Sequence, residues 1–320
     1  MKYLVTGGAG YIGAVVAAML LEDGHDVVVI DDCRTSDPDN VPAGATHVAA
    51  DVHDVGQVLT PDFDAVLHFA GLIAAGESMQ YPQQYWHANT SATFALLAAM
   101  RDASVGNLVF SSTAAVYGNP ETLPLQESAR TAPTSTYGAT KLASDHAIAS
   151  YCSAYGLGAT SLRYFNVVGA YRGADGTWHG ERHAPETHLV PLALSAAAGE
   201  REALHLYGED YDTEDGTCVR DYIHVADLAR AHLLALNAQR PGAHLVYNLG
   251  NGRGFSNRQV LDTVAAVTGR PVPVVPAERR PGDPAVLVAH SAAAHAALGW
   301  RPQRPQLSDM VKDAWEFYRQ

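Results

Sequence analysis

Cysteine is scarce in this chain. Among its 320 residues only Cys33, Cys152 and Cys218 are cysteines, and no two of them form a CxxC pair. An odd number of widely spaced cysteines predicts neither a disulfide framework nor a zinc knuckle. A small number of unpaired cysteines is typical of proteins in a reducing compartment, so we expect this protein to be cytoplasmic.

Basic residues are also few, and no long apolar run is present. The chain carries 34 acidic against 21 basic residues, a formal charge of −13, which repels nucleic-acid phosphates and anionic membranes. The apolar run at 14–21 follows a stretch interrupted by four glycines and is far shorter than a bilayer-spanning helix. We therefore expect no nucleic-acid partner, no targeting segment and no membrane span.

What the chain does contain is an alternation of apolar strands and helices over its first 110 residues. Short apolar runs at 3–5, 27–30, 47–50, 65–69 and 107–111 are separated by helical patterns. The later runs show little polar alternation, as expected when helices cover both faces of a sheet. The length suits two lobes. The sequence predicts an α/β fold, namely a Rossmann-type doubly wound parallel sheet with a smaller C-terminal α/β substrate domain.

Glycines mark the first turn of this pattern. In KYLVTGGAGYIGAVVAAMLLEDGHDVVVIDD, Gly7, Gly10 and Gly13 stand between a strand and a helix, in the order of a dinucleotide-binding βαβ unit. A turn without side chains lets a pyrophosphate approach the free N–H groups of the helix. Asp31 closes the second strand, where a carboxylate binds ribose hydroxyls and favours NAD over NADP. Arg34 nearby weakens that preference.

A tyrosine and a lysine stand four residues apart in the stretch STYGATKLAS. At this spacing Tyr137 and Lys141 share one face of a helix, where an ammonium lowers the pKa of a phenol. Thr113 ends the predicted strand NLVFSST and adds a hydroxyl at the same edge of the sheet. Taken alone, the pair is equally the pattern of a surface tyrosine and a solvated lysine.

Together with TGGAGYIG, this triple resembles the extended short-chain dehydrogenase/reductase family over essentially the whole chain. The stretches HFAGLIAAGES, FSSTAAVYG, LRYFNVVGA, YGEDYDTEDGTCVRDYIHVADLA and YNLGNGRG are similar to those of its UDP-hexose 4-epimerases. The resemblance implies NAD-dependent, reversible epimerisation between UDP-galactose and UDP-glucose through a 4-keto intermediate. In that reaction Tyr137 is the base, Lys141 lowers the phenol pKa and holds a ribose hydroxyl, and Thr113 hydrogen-bonds the 4-oxygen.

The resemblance also implies the two binding sites. The cofactor-binding residues are Gly7, Gly10, Tyr11, Ile12, Gly13, Asp31, Asp51, Val52, Phe69, Ala70, Gly71, Asn89, Ser111, Tyr137, Lys141 and Tyr164. The UDP-sugar-binding residues are Thr113, Asn166, His188, Leu189, Tyr207, Arg220, Arg280, Asp283 and Leu287. The two arginines suit a diphosphate because a guanidinium is a planar, permanently charged donor. We expect an NAD-binding domain over 1–166 and a UDP-sugar domain over 167–320, with part of 221–250 packing back on the first.

Other functions of this family stay open at this point. Dehydratases and decarboxylases place acidic residues where this chain has Ala114 and Ala115, which favours epimerisation. A reductase would consume reduced cofactor, and a non-catalytic NAD sensor would not need the triple. Among epimerases, UDP-N-acetylglucosamine and UDP-glucuronic acid are the alternative substrates. Leu287 stands where some members have a tyrosine, which leaves room for a 2-acetamido group.

Three further expectations concern the cofactor, metals and assembly. Ile73 replaces a lysine that contacts the cofactor in these epimerases, so we expect looser NAD binding. His179, His183 and His188 imitate a metal spacing, but the stretch lacks a recognisable ligand helix and we expect no metal. Helical faces around 85–100 and 137–155 pair across a two-fold axis in this family, which implies a homodimer.

Overall fold

A seven-stranded parallel sheet forms the centre of the first lobe. The structure is a computed structural model that describes residues 1–183, 185–280 and 283–320. Its strands are β1 Lys2–Thr6, β2 Asp26–Ile30, β3 Thr46–Val48, β4 Ala65–His68, β5 Asn107–Thr113, β6 Gly158–Tyr164, β7 Asn166–Val168, β8 Tyr171–Arg172, β9 Trp178–His179, β10 Leu204–Tyr207, β11 Val219–His224, β12 His244–Leu249, β13 Gly254–Ser256, β14 Val274–Ala277 and β15 Val286–Leu287.

Helices cover both faces of this sheet and build most of the second lobe. They are α1 Tyr11–Glu22, α2 Ala75–Ser78, α3 Pro82–Tyr85, α4 Ala92–Asp102, α5 Thr136–Tyr155, α6 Leu189–Ala198, α7 Val225–Asn237, α8 Asn257–Thr268, α9 Ala292–Leu298 and α10 Leu307–Tyr318. Between α3 and α4 the segment Trp86–Ser91 is a π-helix. Within the described ranges, no helix combines the length and apolarity that crossing a membrane requires.

The strand order confirms the predicted doubly wound sheet. The order is β12-β6-β5-β4-β1-β2-β3, and every neighbouring pair is parallel. The order reverses between β1 and β4, where ligands of such sheets bind at the carboxyl ends of the strands. Buried Val, Leu and Ile side chains from β1, β2, β4 and β5 pack against helices on both faces. The predicted site residues therefore lie at one edge of a sheet that is packed on both faces.

Two later segments complete the core of the first lobe. Strand β12 pairs with β6 along its length, and α7 packs against α1. Trp300, just after α9, is fully buried in the same core and donates from its indole nitrogen to the carbonyl of Asp227. The predicted boundary at residue 166 follows the sixth strand. The segments that contain α7, β12 and Trp300 come after this boundary in sequence, yet they pack in the core of the first lobe.

The second lobe is smaller and mixed. Strand β11 pairs with β7 and β15 in parallel and with β13 antiparallel, while β10 and β14 form a separate parallel pair. Helices α6, α8 and α10 pack around a core that includes Leu194, Leu206 and Val264. The predicted smaller C-terminal lobe is thus confirmed.

Candidate functional site

The glycine loop between β1 and α1 is shaped for the close approach of an anion. Gly7 has a φ of +70°, and a Cβ there would lie 2.5 Å from the backbone nitrogen of Ala70. A Cβ at Gly13 would lie 2.2 Å from the carbonyl oxygen of Gly7. Gly10 caps α1 without a side-chain hydrogen bond, and the first turn holds no acidic residue. The positive end of α1 therefore stays open to a phosphate.

Two carboxylates follow at the ends of the next strands. Asp31 accepts hydrogen bonds from the backbone of Ala9 at 3.0 Å and of Cys33 at 2.9 Å. Asp51 accepts from the backbone nitrogen of His53 at 2.9 Å, and its ionised form also pairs with Arg34. Burial opposes the charge of Asp51, but these partners hold its pKa at about 2. Arg34 is itself paired with acidic side chains. The carboxylates are therefore the main hydrogen-bond acceptors at the ends of these two strands.

Asn89 locks the loop that follows β4. It lies in the π-helix, a local feature that often marks functional sites. Its amide oxygen accepts from the backbone nitrogen of Leu72 at 2.8 Å, and its nitrogen donates to the carbonyl of Leu72 and to Thr140 on α5, both at 3.0 Å. A Cβ at Gly71 would lie 2.8 Å from the same amide oxygen. The structure thus joins the predicted residues Gly71 and Asn89 in one contact.

Thr113, Tyr137 and Lys141 converge at the end of β5. Helix α5 begins one residue before the tyrosine, and Ser135 caps it by accepting from the nitrogen of Gly138 at 3.1 Å. The hydroxyl of Thr113 lies near enough to the phenol of Tyr137 to favour a lower pKa of that phenol. Lys141 is only 3% exposed and donates to the carbonyl of Ser111 at 2.9 Å. The three chemical groups predicted from the sequence therefore share one edge of the sheet.

Burial shifts the pKa values of two groups at this edge. Burial raises the pKa of the Tyr137 phenol, and the hydroxyl of Thr113 offsets this only in part. Burial lowers the pKa of Lys141 to about 8, against the opposing charge of Asp145. Burial is therefore the largest influence on the phenol pKa. The role expected for Lys141 remains a prediction.

A buried ion pair below the lysine was missed by sequence reasoning. Asp145 lies one turn after Lys141 on α5 and pairs with Arg163 of β6 at 2.9 Å. Arg163 also donates to the hydroxyl of Tyr117 at 3.2 Å, and this hydroxyl donates to Asn248 of β12 at 2.7 Å. The i, i+4 spacing of Asp145 and Lys141 was the available signal. The network ties the lysine-bearing helix to two strands.

The remaining predicted cofactor residues line the same edge. The hydroxyls of Ser111 and Tyr164 hydrogen-bond each other, and Tyr11 donates to the carbonyl of Gly169 at 2.5 Å. Val52 is buried, Ile12 and Ala70 are half-buried, and the ring of Phe69 packs 4.8 Å from that of His232. Ile73, which stands where the resemblance implies a lysine, is 40% exposed.

The predicted substrate residues fall into separate groups on the second lobe. Arg220 pairs with Asp283, and in the parallel strands β11 and β15 it stands opposite Leu287. The guanidinium of Arg280 lies 4.0 Å above the ring of Tyr207. Asn166 is exposed at the start of β7. The structure brings Arg220, Asp283 and Leu287 together and Tyr207 and Arg280 together.

An open cavity lies beside Tyr207 and Arg280. It has a volume of about 490 Å³ and is lined by Gly208, Glu209, Asp210, Pro276, Ala277, Glu278 and Arg279. These residues follow β10 or end β14, so the cavity lies at the carboxyl ends of that parallel pair. Its place next to two predicted substrate residues makes it a candidate space for part of the substrate.

His188 and Leu189 stand at the start of α6, where an unexpected group surrounds the imidazole. The Nδ1 of His188 lies 2.7 Å from Glu181 and 3.1 Å from Glu186. Burial works against a charge there, but the carboxylates raise the pKa of His188 to about 10. Sequence reasoning singled out the histidine but not its two carboxylate partners.

Comparison with known proteins agrees with this arrangement. The profile of the NAD dependent epimerase/dehydratase family matches residues 3–250. A relative from Streptomyces lividans named UDP-glucose 4-epimerase is 53% identical over 322 residues, with 99% of this chain and 96% of the relative covered. One of the same name from Corynebacterium glutamicum is 51% identical over 319 residues, covering 99% and 95%.

A solved structure gives the same match in three dimensions. The UDP-glucose 4-epimerase of Brucella ovis, crystallised in complex with NAD, matches with a TM-score of 0.93 at 42% identity and covers 99% of this chain and 98% of its own. The profile spans the glycine loop, Asp31 and the Thr113, Tyr137 and Lys141 edge. This chain belongs to the NAD-dependent epimerase/dehydratase family.

Proposed function

We propose that this chain interconverts UDP-galactose and UDP-glucose by inverting the configuration at C4 of the sugar, with NAD as a cofactor that is restored in each turnover. The observation that carries the proposal is the edge where the hydroxyl of Thr113, the phenol of Tyr137 and the buried ammonium of Lys141 come together. The name shared by the three relatives supports the UDP-hexose as substrate. It does not favour UDP-N-acetylglucosamine or UDP-glucuronic acid.

The side chains have distinct roles in this reaction. Tyr137 removes the proton from the sugar 4-hydroxyl and returns it after the 4-keto sugar has turned its other face. Thr113 holds the 4-oxygen next to the phenol, and Lys141 holds a ribose hydroxyl and contributes positive charge. Bound at the glycine loop, Asp31 and Lys141, NAD would supply the acceptor and donor of the C4 hydride.

We assign cofactor binding to the first lobe and UDP-sugar binding to the second. The open N-terminus of α1 would hold the pyrophosphate, and Asp31 the adenosine ribose. Arg220 and Arg280 would contact the diphosphate and the uridine, next to the open cavity. The segment from α7 to β12 counts with the first lobe because it completes that core. On this division, residues 1–166 bind NAD and the rest of 167–320 binds the UDP sugar.

The neighbours of Thr113 argue against elimination chemistry. Ala114 is buried and Ala115 is half-buried in the turn after β5. Neither methyl group can remove a proton from C5 or protonate a leaving hydroxyl, as a 4,6-dehydratase requires. After oxidation at C4 these two residues therefore provide no group for elimination, and the step that we propose is return of the hydride to C4.

The experiment is incubation of the purified chain with UDP-galactose, with and without added NAD⁺, followed by chromatography of the nucleotide sugars. We expect UDP-glucose to accumulate to an equilibrium ratio without net NADH. Net NADH formation, or no conversion with NAD⁺ present, would contradict the proposal. Dependence on added NAD⁺ would also test the looser cofactor binding expected from Ile73.

We also propose that the protein is a homodimer. Trp86 on the π-helix and Phe94 on α4 are 43% and 49% exposed, and Tyr155 at the end of α5 is 57% exposed. Large apolar side chains of this kind on adjacent elements are typical of an interaction surface. Light scattering coupled to gel filtration should give twice the chain mass, and a Phe94→Glu, Tyr155→Glu variant should give one chain.

The proposed compartment is the cytoplasm. Cys33, Cys152 and Cys218 are all free thiols, and two of them are buried. Free thiols persist in a reducing environment. Fractionation of cells followed by immunodetection would test this, and recovery of the protein outside the soluble cytoplasmic fraction would contradict it.

A further inference from the structure

Four potential metal ligands meet in the segment that joins β9 to α6. Glu181, His183, Glu186 and His188 each offer one ligand atom, and these atoms all lie within 4.8 Å of one another. His179, which the sequence pattern included, is not a member of this group. The two glutamates supply ligand atoms that the histidine spacing alone did not provide. We call these four residues the His/Glu cluster.

The distances within the His/Glu cluster are close to those of a metal site. The Nδ1 of His183 lies 3.0 Å from Glu181 and 3.7 Å from Glu186, and that of His188 lies 2.7 Å and 3.1 Å from the same two carboxylates. Ligands about 2.0 to 2.2 Å from a tetrahedral zinc ion are themselves separated by roughly 3.4 Å. The four distances span this value, so small side-chain rotations would complete the shell.

The carboxylates are held in place independently of any ion. Glu186 accepts hydrogen bonds from the backbone nitrogens of Thr187 at 2.6 Å and of His188 at 2.7 Å. Glu181 is the most buried member, with a side chain only 9% exposed. Outer hydrogen bonds of this kind orient ligands and strengthen metal binding. The two carboxylates therefore have backbone hydrogen bonds or burial in addition to their contacts with the histidines.

Charge balance is also met by a cation. Two carboxylates in a half-buried place are stabilised by positive charge, which protons on the imidazoles or one divalent ion can supply. An ion that entered would displace those protons, leaving neutral imidazole ligands. Two nitrogen and two oxygen ligands suit zinc and similar transition metals, whereas magnesium and calcium prefer oxygen alone.

We propose that the His/Glu cluster binds one divalent transition-metal ion, with zinc the best match, and thereby fastens the loop after β9 to the start of α6. The site contains His188, one of the predicted UDP-sugar residues, but none of the residues at the edge of Thr113, Tyr137 and Lys141. The proposal replaces the sequence expectation of no metal, because the sequence could not show that Glu181 and Glu186 face the histidines. It does not rest on the proposed function.

The test is zinc binding by the full chain after treatment with EDTA. Equilibrium dialysis with Zn²⁺ should give one ion per chain, and His183→Ala or Glu181→Gln should weaken binding by at least about 10-fold. His87→Ala is the matched control, because His87 belongs to another histidine pair, stacked on His53 at 4.4 Å. That variant should bind zinc as the unchanged chain does.

A second measurement does not depend on the variants folding. Crystals of the unchanged chain soaked in Zn²⁺ should show an anomalous scattering peak among the four side chains. A peak only elsewhere, no binding, or equal losses in His183→Ala and His87→Ala would each overturn the proposal. Epimerase activity is not the readout, so the failure of one proposal leaves the other standing.

Discussion

In the first lobe, the proposed dinucleotide side, the site residues Asp31 and Asn89 are bound by the backbone. In the second lobe, the proposed UDP side, Arg220 and Arg279 pair with acidic side chains. Asp31 is held by the backbone of Ala9, and Asn89 by that of Leu72. Arg220 pairs instead with Asp283, and Arg279 with Asp210. A backbone-bound group keeps its position when a ligand arrives. A side-chain ion pair can exchange one partner for another.

The first lobe therefore presents a preformed site of fixed shape. The second lobe presents charges that a diphosphate can take over, and substitutions in each lobe test this division.

The largest effect is expected at the junction of the two sides. Tyr137→Phe removes the proton acceptor but keeps the ring in its helix, so kcat should fall by about 10² to 10⁴, the range typical of a lost general base. NAD binding and the melting temperature should stay near those of the unchanged chain. Steady-state kinetics with a fluorescence titration of NADH would check this. A loss below 10-fold would remove Tyr137 from its role.

The glycine loop should tolerate no side chain. Gly13→Ala places a methyl group 2.2 Å from a backbone oxygen, and we expect a loss of about 3 kcal/mol in the free energy of unfolding together with weaker NAD binding. Gly106→Ala is the control, because a Cβ there meets no atom within 4 Å. Urea unfolding of both variants would decide, and equal stability would show that the loop is not rigid.

The buried histidine below the loop should make the first lobe sensitive to acid. His68 lies 2.6 Å from the hydroxyl of Thr6, and burial, with the charge of Lys141, lowers its pKa to about 3. The unfolded chain takes up this proton below about pH 6.5 and the folded chain does not, so stability falls as the pH falls from 6.5 toward 3. The expected loss is about 2 kcal/mol by pH 5.

The pH effect can be isolated by comparing variants. Urea unfolding at pH 7 and pH 5 should show a smaller acid loss in His68→Gln than in the unchanged chain. The exposed His205 provides the control, since His205→Gln should leave the acid loss as it is. If both variants behave alike, His68 is not the source.

The smallest effect on stability is expected on the UDP side. Arg220→Ala breaks a pair that is half exposed at Asp283, so the free energy of unfolding should change by about 1 kcal/mol at most. Affinity for UDP should fall by about 10-fold, the loss of one charge-assisted hydrogen bond. Calorimetry with UDP would measure this. Arg319→Ala, which breaks an exposed pair with Glu316 on the second lobe, should leave UDP binding unchanged.

The sequence predicted the first side far better than the second. The strands up to β5, the glycine loop and the edge of Thr113, Tyr137 and Lys141 are encoded in short contiguous motifs, where periodicity and spacing determine the geometry. The UDP-sugar residues were inferred by resemblance alone, and their roles remain predictions. Their partners come from distant parts of the chain, as Asp283 does for Arg220.

Long-range partners explain the other failures. Asp145 and Arg163 meet only when α5 packs on β6, and Glu181 meets His188 only through the path of an irregular loop. Spacing also shows that Tyr137 and Lys141 share a helix face, but not the burial that raises the pKa of Tyr137 and lowers that of Lys141. Sequence patterns record local preference, while burial is a property of the assembled fold.

The interleaved path of the chain has a consequence for biosynthesis. Strand β6 is left with an open edge until β12 has been made, and the core around Trp300 closes only when that residue has left the ribosome. Domains that are contiguous in sequence fold one after another during translation. Here the cofactor lobe must wait for nearly the whole chain, so a nascent protein arrested at residue 166 would carry an unfinished sheet and depend on protection from aggregation.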